Sequence, residues 1–201
     1  MKPAIFHGLE LGTCAGLVMT PRPASEKLVI AAIALVGDKP ARIVDVGTGS
    51  GAIAIAIAAS LPQAEVFATD TSSAAVALAR LNAARVGLSS RISVVRGNLL
   101  DPLLGSFDLI VANLPYLPIA EAARRPHLAS EPREAVFAPG DGLGPYRRLI
   151  AASHERMSRD GMLIIQFHGD ILMATRETLN GLASTLANRA RAADDQFRVA
   201  A

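Results

Sequence analysis

Asp45-Val46-Gly47-Thr48-Gly49-Ser50-Gly51 decides the fold. The stretch closes a short apolar run, Ala41–Val46, of the kind that forms a buried strand, and it opens onto Ala52–Ala59, where Ala and Ile alternate. By period alone that alternation suits a strand. A glycine loop leaving a buried strand normally feeds a helix, however, and alanine is the strongest helix former, so a helix is expected, with Ile53 and Ile57 on one face.

Outward from the loop, strands and helices alternate. Ala24–Val36 reads as a helix opened by Pro21-Arg22-Pro23 and closed by Gly37. Ala64–Thr69 is a second strand ending at Asp70, and Thr71–Val86 a helix with a cap signal in Thr71, Ser72 and Ser73 and a stop at Gly87. Ile92–Val95 and Phe107–Ala112 read as buried strands. Leu117–Pro145 is rich in Pro, Ala and Arg and too irregular for one element, a length that in compact domains usually serves function. Pro145–Arg159 returns to helix, Met162–Phe167 to strand and Ile171–Arg191 to a long helix, with Gln196–Val199 as a closing strand. This order predicts an α/β fold, a doubly wound and mostly parallel sheet in a single domain. Residues 1–23 form an N-terminal extension with hairpin character, and 24–201 the core, whose C-terminal edge is short.

Composition excludes other classes. The 201 residues are 51% hydrophobic and 19% charged, with a mean hydropathy of +0.34, which rules out a disordered tail, a collagen-like repeat and a charge-rich coiled coil. Aromatics are 4% with no Trp, so Ala, Leu, Val and Ile must build the interior. Twenty basic against eighteen acidic residues give +2, which permits an anionic partner without demanding one. Cys14 is the only cysteine, which excludes an internal disulfide and fits a buried small residue. Leu28–Val36 and Ala52–Ala59, the longest apolar stretches, fall short of the roughly 20 residues that a bilayer needs. Lys2 before Pro3, with no apolar run after it, predicts no export signal, and the expected location is cytoplasmic. His7, His127, His154 and His168 are scattered, so no metal is expected.

The loop and Asp70, about twenty residues on, make a nucleoside site: a carboxylate there can accept both hydroxyls of a ribose. No Gly-Lys-Ser/Thr follows, so the loop is not a triphosphate cradle. The spacing Gly-x-Gly-x-Gly differs from that of dinucleotide sites and points to S-adenosyl-L-methionine, which has no phosphate. The expected cofactor residues are Asp45 at the methionine end (directly or through water), Gly47, Thr48, Gly49 and Gly51 of the loop, Asp70 at the ribose, Asn98 at the adenine, and Asn113, which also serves the acceptor. A plain turn is the other reading of Asn98.

Asn113-Leu114-Pro115-Tyr116 follows the fourth strand and should lie beside the same crevice. An amine on a planar carbon, as in an amide or a nucleobase, is a poor nucleophile because its lone pair is delocalised. Two acceptors holding its N–H groups orient it and return electron density. The Asn113 side chain and a main-chain carbonyl near Leu114–Pro115 suit that work. Pro115 adds stiffness, Tyr116 offers a stacking face, and no strongly perturbed general base is needed. Arg124, Arg125, Arg133, Arg147 and Arg148, in or near the segment after Tyr116, lack aromatic interleaving and read as a solvated face rather than an RNA platform.

With these motifs the chain resembles the HemK/PrmC family of S-adenosylmethionine-dependent protein-(glutamine-N5) methyltransferases acting on peptide chain release factors. The matching segments are Thr20–Glu26, Asp45–Gly51, Asn113–Tyr116, Glu131-Pro132, Asp141-Gly142-Leu143 and Tyr146–Leu149. The resemblance implies a class I methyltransferase fold, with Asn113 and Tyr116 at the amide, Gly47, Gly49, Gly51 and Asp70 at the cofactor, and a release-factor-like protein as substrate. Leu114 stands where the family has Pro, the family's Glu-x-Gly is absent around Gln166–Gly169, and the chain starts after the family's N-terminal helical domain. Asn-Leu-Pro-Tyr is also similar to the motif of rRNA adenine dimethyltransferases. An N6-adenine acceptor in RNA or DNA, a small-molecule acceptor, or an inactive cofactor-binding protein therefore stays open.

Overall fold

A computed structural model describes residues 3–199. Lys2, used above to read the N-terminus, lies outside the described residues. The chain opens with an antiparallel hairpin, β1 (Pro3–Phe6) and β2 (Leu9–Gly12), turned by His7 and Gly8, both at positive φ. A 3-10 turn at Pro23–Ser25 leads into α1 (Glu26–Val36). There follow β3 (Ala41–Val46), α2 (Ala52–Ser60), β4 (Ala64–Asp70), α3 (Ser73–Arg85), β5 (Ile92–Arg96) and β6 (Phe107–Ala112). The long segment after β6 holds two 3-10 turns, a four-residue helix α4 (Arg133–Val136), and the short parallel pair β7 (Leu117–Pro118) and β8 (Phe137–Ala138). Then come α5 (Gly144–Arg156), β9 (Met157–Phe167), β10 (Asp170–Thr175) and α6 (Leu179–Val199).

The main sheet has the order β10-β9-β6-β3-β4-β5 and is parallel except for β10, which runs antiparallel to β9. Alternation along the strands separates two cores. Ile43, Val66, Leu109 and Ile164 face α1, α2 and α3, while Val44, Ile110, Leu163 and Ile165 face α5 and α6. In α2 every residue from Ala52 to Ala58 is buried, so the Ala/Ile alternation is that of a helix apolar on all sides.

Two expectations are overturned at the C-terminal edge. Ile171–Thr175 is strand, not the start of a helix, and Gln196–Val199 is the end of α6, not a strand. The reason is the pair His168 and Gly169, at φ +49° and +83°, which turns the chain in two residues so that Asp170 pairs with Phe167. Two successive positive φ values suit the tight turn of an antiparallel hairpin. β10 thus closes the sheet.

Asn82 on α3 fastens the N-terminal hairpin. Its buried side chain accepts from the Gly12 N–H at 2.8 Å and donates to the carbonyls of Gly12 (3.1 Å) and Ser50 (2.9 Å), joining β2 to the glycine loop.

Candidate active site

The carboxyl ends of β3, β4 and β6 open into two adjoining clefts, as expected for a doubly wound sheet. The first, about 340 Å3, has Gly47, Gly49, Asp70 and Asn98 along the strand ends and Leu99, Phe137 and Pro139 as apolar walls. The second, about 280 Å3, is lined by Arg22, Ser25, Tyr116, Arg125, Gln166 and His168. Asn113, Leu114 and Pro115 line both. They form the wall that the two share, with Met19 opposite on the strap leading to α1.

The glycine loop is shaped by close approach. A Cβ at Gly51 (φ +81°) would lie 3.0 Å from the Ala79 Cβ, so glycine lets α3 pack on the loop. A Cβ at Gly49 would meet only the Val18 Cγ1, at 4.0 Å. Asp70 is held rigidly, its Oδ2 accepting from the Gly49 N–H and its Oδ1 from the Ser72 N–H, each at 2.9 Å. A carboxylate has about four acceptor sites, so Asp70 retains lone pairs for hydroxyls in the cleft. Asn98 gives its Nδ2 to Asp101 (3.1 Å), which leaves its Oδ1 as an acceptor at the cleft. This combination of an anchored carboxylate, apolar walls and a glycine-lined end fits a nucleoside carrying a short charged arm.

Asp45 and Thr48 stand apart from that surface. Asp45 is fully buried under the loop, accepting from the Thr48 hydroxyl (2.6 Å) and the Ala54 N–H (3.2 Å) with one oxygen, while its Oδ1 has no partner. Burial pushes its pKa up to about 7, against the lowering effect of those two bonds. Neither residue lines either large cleft; both support the loop from beneath, and Thr48 lines a third, smaller pocket with Gly47, Gly49 and Asn113.

At the shared wall, the Asn113 Nδ2 donates to the Ser25 hydroxyl at 3.0 Å. Its Oδ1 has no hydrogen bond among the described residues. Tyr116 lies against Phe167 and His168, with ring centroids 5.0 and 4.8 Å away, and burial raises the pKa of its phenol. Arg22 pairs with Glu131, which also accepts from the Thr20 N–H, so the strap is pinned to the long segment. Sequence reasoning did not assign Ser25, Tyr146 or Gln166. Gln166 carried a signal, a polar residue inside the apolar run Leu163–Phe167. Among the described residues no group of three or more His, Cys, Asp or Glu is placed to hold a metal, and no helix is long and apolar enough to cross a membrane.

Residues 25–126 match the methyltransferase small domain family. The release factor glutamine methyltransferase of Deinococcus radiodurans is 43% identical over 164 residues, covering 80% of this chain and 58% of that protein. The protein of the same name from Bradyrhizobium diazoefficiens is 39% identical over 198 residues, covering 94% of this chain and 65% of that one. The chain therefore spans about three fifths of the length of these relatives. Among solved structures, the ribosomal protein L11 methylase of Lactobacillus delbrueckii subsp. bulgaricus superposes with a TM-score of 0.54 at 29% identity, over 75% of this chain and 62% of that one. The catalytic domain of hMettl16 gives 0.63 at 22% identity, over 79% and 61%, a likeness of fold. The chain belongs to the methyltransferase small domain family, a class I methyltransferase family that implies S-adenosylmethionine, and it is a homologue of the release factor glutamine methyltransferases.

Proposed function

We propose that the protein transfers a methyl group to an amine on a planar carbon, and that the acceptor is a glutamine side-chain amide of a release-factor-like protein. The observation that carries this reading is the wall of Asn113, Leu114 and Pro115 between the two clefts. The first cleft, with Gly47, Gly49, Asp70 and Asn98, holds the cofactor, and the second receives the acceptor. S-adenosylmethionine, when bound, supplies an electrophilic methyl on a positively charged sulfur.

Asn113 Oδ1 and the Leu114 carbonyl accept the two N–H groups of the acceptor, turning its nitrogen lone pair toward the first cleft. Positioning of this kind, together with acceptors fixed in advance, supplies most of the barrier reduction. Tyr116 and Pro115 pack against the flat amide. No side chain at the wall serves as a base. Asp45 is buried under the loop, and the Tyr116 phenol stays protonated, so the proton released by the methylated nitrogen passes to water. Similarity to release factor glutamine methyltransferases over most of the chain supports glutamine as acceptor.

Labelled-methyl transfer, measured on glutamine-containing peptides and on RNA, tests the proposal. Transfer to the peptide is expected. Asn113→Ala should slow it by about 3 kcal/mol, the loss seen when one preorganised partner is removed from a reacting group, with cofactor affinity retained. Transfer to RNA alone would overturn the acceptor, and an undiminished rate in Asn113→Ala would overturn the mechanism.

A further inference from the structure

Both acceptors at the shared wall trace back to one residue, Gln166, which is buried near the end of β9. One arm runs through side chains. The Asn113 Nδ2 donates to the Ser25 Oγ at 3.0 Å, and the Ser25 hydroxyl donates to the Gln166 Oε1 at 2.8 Å. The other runs through main chain. The Tyr146 hydroxyl accepts from the Leu114 N–H at 3.1 Å and lies within hydrogen-bond reach of two carbonyl oxygens, that of Gln166 at 2.5 Å and that of Leu114 itself at 3.3 Å.

The first arm has a direction. A serine hydroxyl carries a single proton. With the Gln166 amide turned so that its Oε1 meets the Ser25 Oγ, the serine proton goes to Gln166, and toward Asn113 the hydroxyl can only accept. The Asn113 amide must then turn its NH2 to Ser25, which leaves Oδ1 on the cleft side. The two ends of an asparagine amide have nearly the same shape and opposite hydrogen-bonding character, so nothing steric fixes this choice. An amide turned the other way would present N–H groups to the N–H groups of the acceptor.

We propose that Ser25 and Gln166 are positioning residues that set the polarity of the Asn113 amide, so that the acceptor meets an oxygen and not an NH2 group. The proposal rests on the reading of Asn113 as an acceptor of the substrate N–H. Ser25 is 6% exposed and Gln166 5%, so water competes poorly for either bond. Ser25 closes the 3-10 turn Pro23–Ser25 and stands at the N-cap of α1, which begins at the next residue.

Two measurements test it. In 15N-labelled protein the Asn113 side-chain NH2 protons should exchange slowly, and Ser25→Ala should remove that protection. In methyl transfer to a glutamine peptide, Ser25→Ala should lower kcat roughly five- to tenfold, the scale of one neutral hydrogen bond, with cofactor Kd unchanged. Ser25→Thr, which keeps the hydroxyl, should restore both readouts. In an Asn113→Asp background Ser25→Ala should have no further effect, because a carboxylate presents oxygen in either orientation. Wild-type protection and kcat in Ser25→Ala, beside a slowed Asn113→Ala, would overturn the relay alone. A wild-type rate in Asn113→Ala would overturn the relay and the acceptor reading together.

Discussion

The Leu114 main-chain N–H donates to the fully buried Tyr146 hydroxyl across 3.1 Å, a bond that a proline at 114 could not make. Tyr146 thereby ties the end of β6 to the end of β9, since its hydroxyl also reaches the Gln166 carbonyl at 2.5 Å and the Leu114 carbonyl at 3.3 Å. Tyr146→Phe strands a buried N–H and a buried carbonyl. It should cost about 1–3 kcal/mol of stability and lower kcat while sparing cofactor affinity. Denaturant unfolding and steady-state kinetics check this, and an unshifted midpoint would show that the hydroxyl is dispensable.

Asp70 should matter to cofactor binding and, through its bonds to the Gly49 and Ser72 N–H groups, to the glycine loop itself. Its carboxylate already fixes Gly49 and Ser72 and still faces the first cleft. Asp70→Ala should weaken S-adenosylmethionine binding by about 1.5–3 kcal/mol through lost charge-assisted hydrogen bonds. Titration calorimetry reads the effect directly, and an unaltered Kd would place the ribose elsewhere.

Asp45 predicts a pH dependence of folding. Burial raises its pKa to about 7, whereas in the unfolded chain it ionises near the ordinary value of roughly 3.9. Between those values the fold keeps a proton that the unfolded chain releases. Its contribution to stability is therefore greatest at low pH, declines as pH rises toward 7, and is flat beyond. The loss is on the order of 4 kcal/mol. Asp45→Asn, which keeps an oxygen for Thr48 and Ala54, should lack this component. Equal pH slopes in the two proteins, from unfolding between pH 5 and 8, would remove Asp45 as their source.

Gly142 is where the long segment touches the reacting wall. A Cβ there would lie 2.1 Å from the Tyr116 carbonyl oxygen, and the residue sits at φ +82°. Gly142→Ala must push Tyr116 or strain the backbone, at a cost of about 1–3 kcal/mol. A lowered melting temperature together with slowed transfer is expected. A wild-type melting temperature would show that the segment yields freely.

The central part of the fold was legible because buried parallel strands write themselves as short apolar runs. Ala41–Val46 and Phe107–Ala112 match their strands end to end. β10 was missed because Ile171–Arg191 reads as one helix after the strand Met162–Phe167, in the pattern set by the helices that follow Ala41–Val46 and Ala64–Asp70. Yet Ile171–Thr175 alternates in burial with period two, and the tight turn was signalled by His168-Gly169 between apolar runs. At the site, Gly47, Gly49, Asp70, Asn98 and Asn113 converge on one cleft as their spacing suggested. The environment of Asp45 was not legible, since a strand-end carboxylate can face either the ligand or the underside of the loop, and only packing decides. Ser25 and Gln166 lie 141 residues apart. No local pattern joins them.

The clasp that Asn82 makes between Gly12 and the Ser50 carbonyl gives the first dozen residues a weight beyond their size. Trimming them would strand a buried amide in the interior and slacken the glycine loop at the end of the cleft without altering a single residue that lines it. An enzyme shortened in this way should lose donor affinity first, by a route that begins at the opposite side of α3.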